Sequence, residues 1–201
     1  MPQNPVVRLI AAVALLLAVV AALLLYTPLG RQLWLGGTGG DGSAALIGGP
    51  FHLTDQYGHA RTDADFRGQY LLVFFGYSNC PDVCPTTLQA ITTALDELGP
   101  DVHKVTPIFI TVDPDRDTPE VLKAYAANFT PRLVALSGSA EEVAAAAKAY
   151  RIYYKKVGEG AGYSMDHTAL VYVMGPDGSY LAHYPADAKA DDILKDLRQR
   201  L

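Results

Sequence analysis

Cysteine is almost missing from this chain, with two in 201 residues, and both lie within the stretch Cys80–Cys84. That scarcity argues against iron–sulfur clusters, which usually take four cysteines. Basic residues are outnumbered, 16 Lys and Arg against 21 Asp and Glu, and the net charge of −5 offers no basic field for nucleic acid. No internal repeat is present. Long apolar runs are limited to one, Leu9 to Leu25.

That run extends to Val6 and Tyr26 if Arg8 snorkels, about the length one transmembrane helix requires. The N-terminal amine and Arg8 lie on one side and Arg31 on the other, which favours a cytoplasmic N-terminus with the rest of the chain outside. A cleaved signal peptide is the competing reading. The alanines around Ala12-Val13-Ala14 resemble cleavage residues, yet they fall within the run rather than after it. Residues 1–26 are therefore expected to be an uncleaved anchor in a bacterial inner membrane, with the remainder in the periplasm. Residues 27–49 hold Gly36-Gly37, Gly39-Gly40, Gly42 and Gly48-Gly49 and read as a flexible tether. Trp34, just past the span, suits the membrane interface. One folded domain is expected over residues 50–201.

Within it, apolar runs and helical periodicities alternate. Phe51 to Thr54 reads as a short strand, Tyr70 to Phe75 as a buried central strand and Val105 to Val112 as a second one. Between these, Leu88, Ile91, Leu95 and Leu98 mark one face of a helix that ends near Gly99-Pro100. Thr118 as N-cap and Pro119 at the first helical position open a helix expected to turn Val121, Leu122, Tyr125 and Phe129 inward. Leu133 to Leu136 reads as a strand, and Ser139 with Glu142 as a capping box for a helix carrying Val143, Ala146, Ala147 and Tyr150. Gly158 to Gly162 reads as a flexible loop. Thr168 to Met174 and Ser179 to Tyr184 flank the turn Gly175-Pro176-Asp177-Gly178 as a hairpin. Asp187 opens a last helix burying Ile193, Leu194, Leu197 and Leu201. This order predicts an α/β domain with a mixed central sheet. Cysteines after the first central strand follow, by analogy, the order of a thioredoxin-like fold.

The cysteines sit where that strand ends and a helix begins. Unpaired amides and the helix dipole favour negative charge there and lower a thiol's pKa. Residues four apart in a helical turn lie about 6 Å apart at Cα, within disulfide range, and both thiolates can also face one metal ion. Spacing alone leaves redox exchange and metal binding open. A plain disulfide staple is the bland alternative, but so small a loop yields little entropy.

His167 lies just before the hairpin strand. In the thioredoxin arrangement the entry to the corresponding strand faces the cysteine loop and normally carries a proline; here a histidine stands there. His52, His59, His103 and His183 read as surface or hydrogen-bonded residues. Two thiolates and one imidazole select soft metals, copper(I) or zinc among them. Structural zinc normally takes four ligands, and no fourth is obvious, although Asp82, Asp113 and Asp166 are candidates. Copper(I) accepts three ligands with an open side and is the better fit.

Cys80-Pro81-Asp82-Val83-Cys84-Pro85, Val112-Asp113-Pro114-Asp115-Arg116-Asp117-Thr118-Pro119 and Asp166-His167-Thr168-Ala169 resemble the Sco/SenC family. So do Ala149-Tyr150-Arg151-Ile152-Tyr153-Tyr154-Lys155-Lys156 and Gly175-Pro176-Asp177-Gly178, and the likeness runs from about Gly49 to the C-terminus. The resemblance implies a membrane-tethered, thioredoxin-like copper metallochaperone rather than an enzyme, helping to assemble the dinuclear copper centre of cytochrome c oxidase subunit II. It implies Cys80, Cys84 and His167 as ligands of Cu(I) and of Cu(II). Asp113 and Asp166 are weaker candidates for tuning or recognition, and another periplasmic copper chaperone is a candidate donor. The alternative is a thiol–disulfide oxidoreductase that reduces the cysteines of that target or of other extracytoplasmic proteins, cycling Cys80 and Cys84 in an oxidising periplasm. Against it stand the three-residue gap between the cysteines and the histidine at the proline position. The acidic loop after Asp113 is expected to be solvated or to help dock a partner.

Overall fold

The most apolar runs of the chain supply the centre of a mixed sheet. The computed structural model describes residues 13–15 and 47–201. Apart from residues 13–15, the expected anchor lies outside the described residues, as does the tether up to residue 46. Among the described residues no helix is long and apolar enough to cross a membrane. The last tether residues lie against the domain, with the Gly48 amide donating to the Ala149 carbonyl at 3.0 Å.

In chain order the strands are β1 (His52–Asp55), β2 (Ala60–Thr62), β3 (Tyr70–Gly76), β4 (Val105–Thr111), β5 (Val134–Ser137), β6 (Tyr154–Val157), β7 (Ser164–His167), β8 (Leu170–Met174) and β9 (Tyr180–Pro185). The helices are α1 (Val83–Asp96), α2 (Pro119–Ala126), α3 (Ala140–Ala149) and α4 (Ala190–Arg200). Seven strands form one sheet in the order β2-β1-β5-β4-β3-β8-β9, and β6 pairs with β7 in a separate two-stranded unit. β3, β4 and β5 run parallel, while β1, β2, β8 and β9 add antiparallel flanks.

Burial follows from this order. β4 is buried along its whole length and β3 from its second residue, as parallel strands covered on both faces must be. The edge strand β9 alternates between half-buried and exposed. Phe74, Phe75, Phe109, Leu72 and Leu88 are among the fully buried side chains, each contributing about 1.5–3 kcal/mol by burial. Caps fix the helix starts. The Thr118 side chain accepts from the Val121 amide with Pro119 in the first turn, and Ser139 and Glu142 exchange bonds at 3.2 and 2.8 Å.

Four expectations need correcting. Helix α1 stops at Asp96, and residues Gly99–Lys104 continue as a 3-10 turn. Val121 is 40 % exposed, because Leu122 takes the inward position in the short helix α2; Phe129 lies beyond that helix. The glycine stretch at 158–162 is the reversal of the β6–β7 hairpin, with Gly158 at φ +90° and Gly160 at φ +67°. Helix α4 begins at Ala190 rather than Asp187, and Leu201 beyond it is half-buried.

Candidate metal centre

β3 ends at Gly76, and residues 77–82 carry the chain out of the sheet to the start of α1. A side chain at position 76 has no room: an added Cβ would stand 2.7 Å from Cys84 Sγ and 2.9 Å from the Phe109 ring. Cys84, in the first turn of α1, is fully buried, whereas Cys80 in the loop is half-buried; both are free thiols. The Cys84 amide reaches Cys80 Sγ at 3.5 Å, and the Cys80 amide donates to the Tyr77 carbonyl at 3.2 Å.

Pairing of β8 with β3, in the register Phe74 to Val171, delivers the residues before β8 to the end of β3 where the cysteines lie. His167 therefore arrives with Nε2 3.7 Å from Cys84 Sγ. Tyr77 and Phe74 meet its ring edge to face, with centroids 6.0 and 6.3 Å away. His167 Nδ1 lies 3.1 Å from the Thr168 carbonyl oxygen. A carbonyl only accepts, so this bond assigns the ring proton to Nδ1 and leaves the Nε2 lone pair facing sulfur. Burial holds the His167 pKa below 6.5, against smaller opposing pulls from the Thr168 carbonyl and Asp166, so the ring is neutral at pH 7.

The lowered thiol pKa expected at the helix start does not hold for Cys84. Burial pushes it well above 9.0; the Tyr77 backbone opposes this, and Cys80 and Asp117 add to it. A helix dipole is worth about 1 kcal/mol or less near a surface, while burial of a charged group shifts its pKa by up to roughly 3–5 units. A thiolate at Cys84 therefore needs a cation beside it.

A metal ion bonded to one sulfur and one imidazole nitrogen holds them about 3.6–3.8 Å apart. The Cys84–His167 pair is already at that spacing. Among the described residues, no three His, Cys, Asp or Glu side chains are gathered into a finished cage. What is preset is the pair of the buried Cys84 sulfur and the half-buried His167 nitrogen, with the Cys80 sulfur in the loop just before the helix.

The acidic candidates fall elsewhere. Asp82 and Asp166 are exposed. Asp113 is 3 % exposed, and both its oxygens are engaged, by the Tyr163 hydroxyl at 2.6 Å and by Arg116. Asp117 is wholly buried and accepts from the Ser78 amide at 2.9 Å, the Ser78 hydroxyl at 2.5 Å and the Thr111 hydroxyl at 2.6 Å. The expectation of a solvated or docking acidic loop is thus corrected at both its ends: Asp117 ties the cysteine loop to β4, and Asp113 holds Tyr163 and Arg116. Hydroxyl and amide donors supplied from distant segments outweigh hydration of these carboxylates. His52, His59, His103 and His183 are exposed, as expected. The sequence reading gave no role to Tyr77, Ser78, Thr111, Asp117 and Tyr163; an aspartate immediately before the Thr118–Pro119 helix start was the one available hint.

Fold and site together define a thioredoxin-like α/β domain with a cysteine pair at the end of a central strand and a histidine facing it. Residues 40–201 match the SCO1/SenC family, and the chain belongs to that family. The human mitochondrial SCO1 homolog is 43 % identical over 152 residues, 74 % of this chain and 50 % of that protein. The chain thus spans about half the length of that relative. ScoI of Bradyrhizobium japonicum, solved with copper bound, is 47 % identical, with a TM-score of 0.72 over 77 % of this chain and 99 % of that one. BsSco, a member of the Sco family of cytochrome c oxidase assembly proteins in which a disulfide switch is identified, is 28 % identical, with a TM-score of 0.62 over 77 % of this chain and 92 % of that one.

Proposed function

We propose that this chain is a copper metallochaperone that holds its cargo through Cys80, Cys84 and His167 and serves assembly of the dinuclear copper centre of cytochrome c oxidase subunit II. The observation that carries this reading is the 3.7 Å approach of His167 Nε2, unprotonated, to the buried Cys84 sulfur. Copper in the Bradyrhizobium relative supports the metal, and the oxidase-assembly role of BsSco's family supports the destination.

Copper(I) meets the half-buried Cys80 first, and rotation of that side chain brings its sulfur beside Cys84. Cys84 would release its proton to solvent as the ion binds, since a metal stabilises the thiolate that burial otherwise disfavours. His167 needs no deprotonation, and its Nδ1–H bond to Thr168 fixes the ring. The rings of Phe74 and Tyr77 keep water from the inner side. An acceptor with soft ligands then takes the ion by stepwise exchange from the Cys80 side. An anchor at residues 1–26 in a bacterial inner membrane would hold the domain in the periplasm, within reach of a donor chaperone and of the oxidase.

The thiol–disulfide oxidoreductase reading draws on the two free thiols and on the disulfide switch of BsSco. Burial keeps Cys84 protonated and shielded, so in that reading the attacking thiol is the half-buried Cys80 and Cys84 can only resolve the mixed disulfide. The three-residue gap and the histidine facing the pair speak against it. Anaerobic copper(I) titration of the reduced chain, with X-ray absorption, tests the choice. One tightly held ion with two sulfurs and one nitrogen is expected, at least about 100-fold weaker in Cys84→Ser. Equal affinity in Cys84→Ser refutes the assignment. Weak binding indifferent to His167→Ala, with a readily cycling disulfide, selects the oxidoreductase.

A further inference from the structure

His167 is carried by a hairpin that is not hydrogen-bonded into the seven-stranded sheet. Near the site, the hairpin is tied to the domain through Tyr163, the residue just before β7. Its hydroxyl donates to Asp113 Oδ1 at 2.6 Å, and its carbonyl accepts from Arg116 Nη1 at 2.9 Å. The Arg116 guanidinium lies 3.6 Å from the centroid of the Tyr163 ring, and the Lys156 ammonium 3.7 Å from the same centroid. Arg116 is ion-paired with Asp113 and also reaches within 5.8 Å of the Tyr77 ring, which packs against His167. At the far end of the same loop, Asp117 binds Ser78 in the cysteine loop. Arg116 Nη2 is buried without a hydrogen-bond acceptor, so the aromatic rings are its compensation.

We infer that the loop Asp113–Asp117 is a clasp that sets the position of His167 relative to the cysteines, with Arg116 and Tyr163 as positioning residues for metal ligation. This rests on the proposal that Cys84 and His167 share a metal ion. One end of the loop is bonded to the cysteine loop and the other to the hairpin, so its short span sets the distance between the two ligand-bearing segments. Charge-assisted bonds on a buried carboxylate are about twice as strong as neutral ones, which makes the hold stiff. The tolerance is small. If His167 Nε2 moved about 1 Å away from Cys84 Sγ, one ion could no longer bond both.

The test uses Arg116→Gln and Tyr163→Phe in the reduced full chain, first without metal. Amide hydrogen exchange is followed in the hairpin and in β3 and β4, and the His167 ring signals are followed by NMR. Arg116→Gln is expected to speed exchange in β6 and β7 at least tenfold, and Tyr163→Phe about threefold, with β3 and β4 unchanged. The His167 ring should lose the ring-current shift that Tyr77 imposes. Copper(I) affinity should fall at least tenfold in Arg116→Gln and recover in part in Arg116→Lys, which keeps the cation over the ring. Hairpin exchange and His167 signals equal to the parent in both variants overturn the clasp. Parallel acceleration of every strand overturns it as well, as does unchanged copper affinity in Arg116→Gln where His167→Ala lowers it. If His167→Ala leaves copper(I) affinity unchanged, the metal assignment falls instead, and the metal-free exchange and ring signals still decide whether the loop holds the hairpin.

Discussion

Gly76→Ala probes how closely Cys84 is packed against the end of β3. The added Cβ would lie 2.7 Å from Cys84 Sγ, 2.9 Å from Phe109 and 3.3 Å from Phe74. Relaxed carbon contacts are about 3.5–4.0 Å, so the sulfur must retreat by about 1 Å. The two phenylalanines are fully buried and have nowhere to go. Overpacking of this kind costs about 1–3 kcal/mol, and alanine returns about 0.4–1 kcal/mol by stiffening the unfolded chain. A net loss of about 1–2 kcal/mol lowers Tm by about 2–8 °C in a domain of this size. Thermal unfolding of the reduced, metal-free protein by circular dichroism reads the shift. Gly162→Ala serves as control, because a Cβ there meets nothing within 4 Å. The displaced Cys84 thiol should also be alkylated faster. Melting within 1 °C of the control, with unchanged alkylation, would refute the claim that position 76 must be glycine to admit the Cys84 sulfur.

Asp117→Ala leaves the Thr111 hydroxyl and the Ser78 amide and hydroxyl without their acceptor, so a loss on the order of 3–5 kcal/mol is expected in urea unfolding; a loss below 1 kcal/mol would contradict the buried network. The Cys84 pKa, raised by burial, makes a signed pH prediction for the reduced, metal-free protein. The native state keeps a proton that the unfolded state loses above pH 9.0, so the stabilisation is complete below that pH and falls by about 1.4 kcal/mol per pH unit above it. Between pH 9 and 10 the slope should be shallower in Cys84→Ala than in the parent protein; Tyr125, Tyr150 and Tyr184, also raised by burial, add a slope of the same sign to both proteins as the unfolded tyrosines ionise near 10.0. An equal slope in Cys84→Ala and the parent assigns it to other groups.

Much of the fold was legible because hydrophobic periodicity and caps are local signals. Tyr70 to Phe75 and Val105 to Val112 match β3 and β4 within a residue at their ends, and the Thr118–Pro119 and Ser139–Glu142 starts appear as expected. The β6–β7 hairpin was not legible. Tyr154-Lys155-Lys156-Val157 has little apolar alternation and is mostly exposed, so no buried face marks it as a strand. Cysteines and histidine were legible as residue types, and their meeting followed once strand order was assumed. The environment was not. Charge in Asp113 and Asp117 is visible in sequence, but their donors lie 50 residues away at Tyr163 and 39 residues away at Ser78. The Cys84 pKa was misjudged for the same reason, since the helix start is a local feature and the packing that buries the sulfur is not.

The Cys84 and His167 side chains meet across 83 residues of chain. Closing a flexible loop of that length costs about 4 kcal/mol in entropy. In the folded domain this is already spent by the pairing of β8 with β3, which holds sulfur and nitrogen together. A nascent or unfolded chain presents only the two neighbouring sulfurs, without the imidazole. Under the proposed ligand assignment, completion of the sheet acts as a checkpoint: the full pair exists only after folding, and a half-made protein competes poorly for the metal.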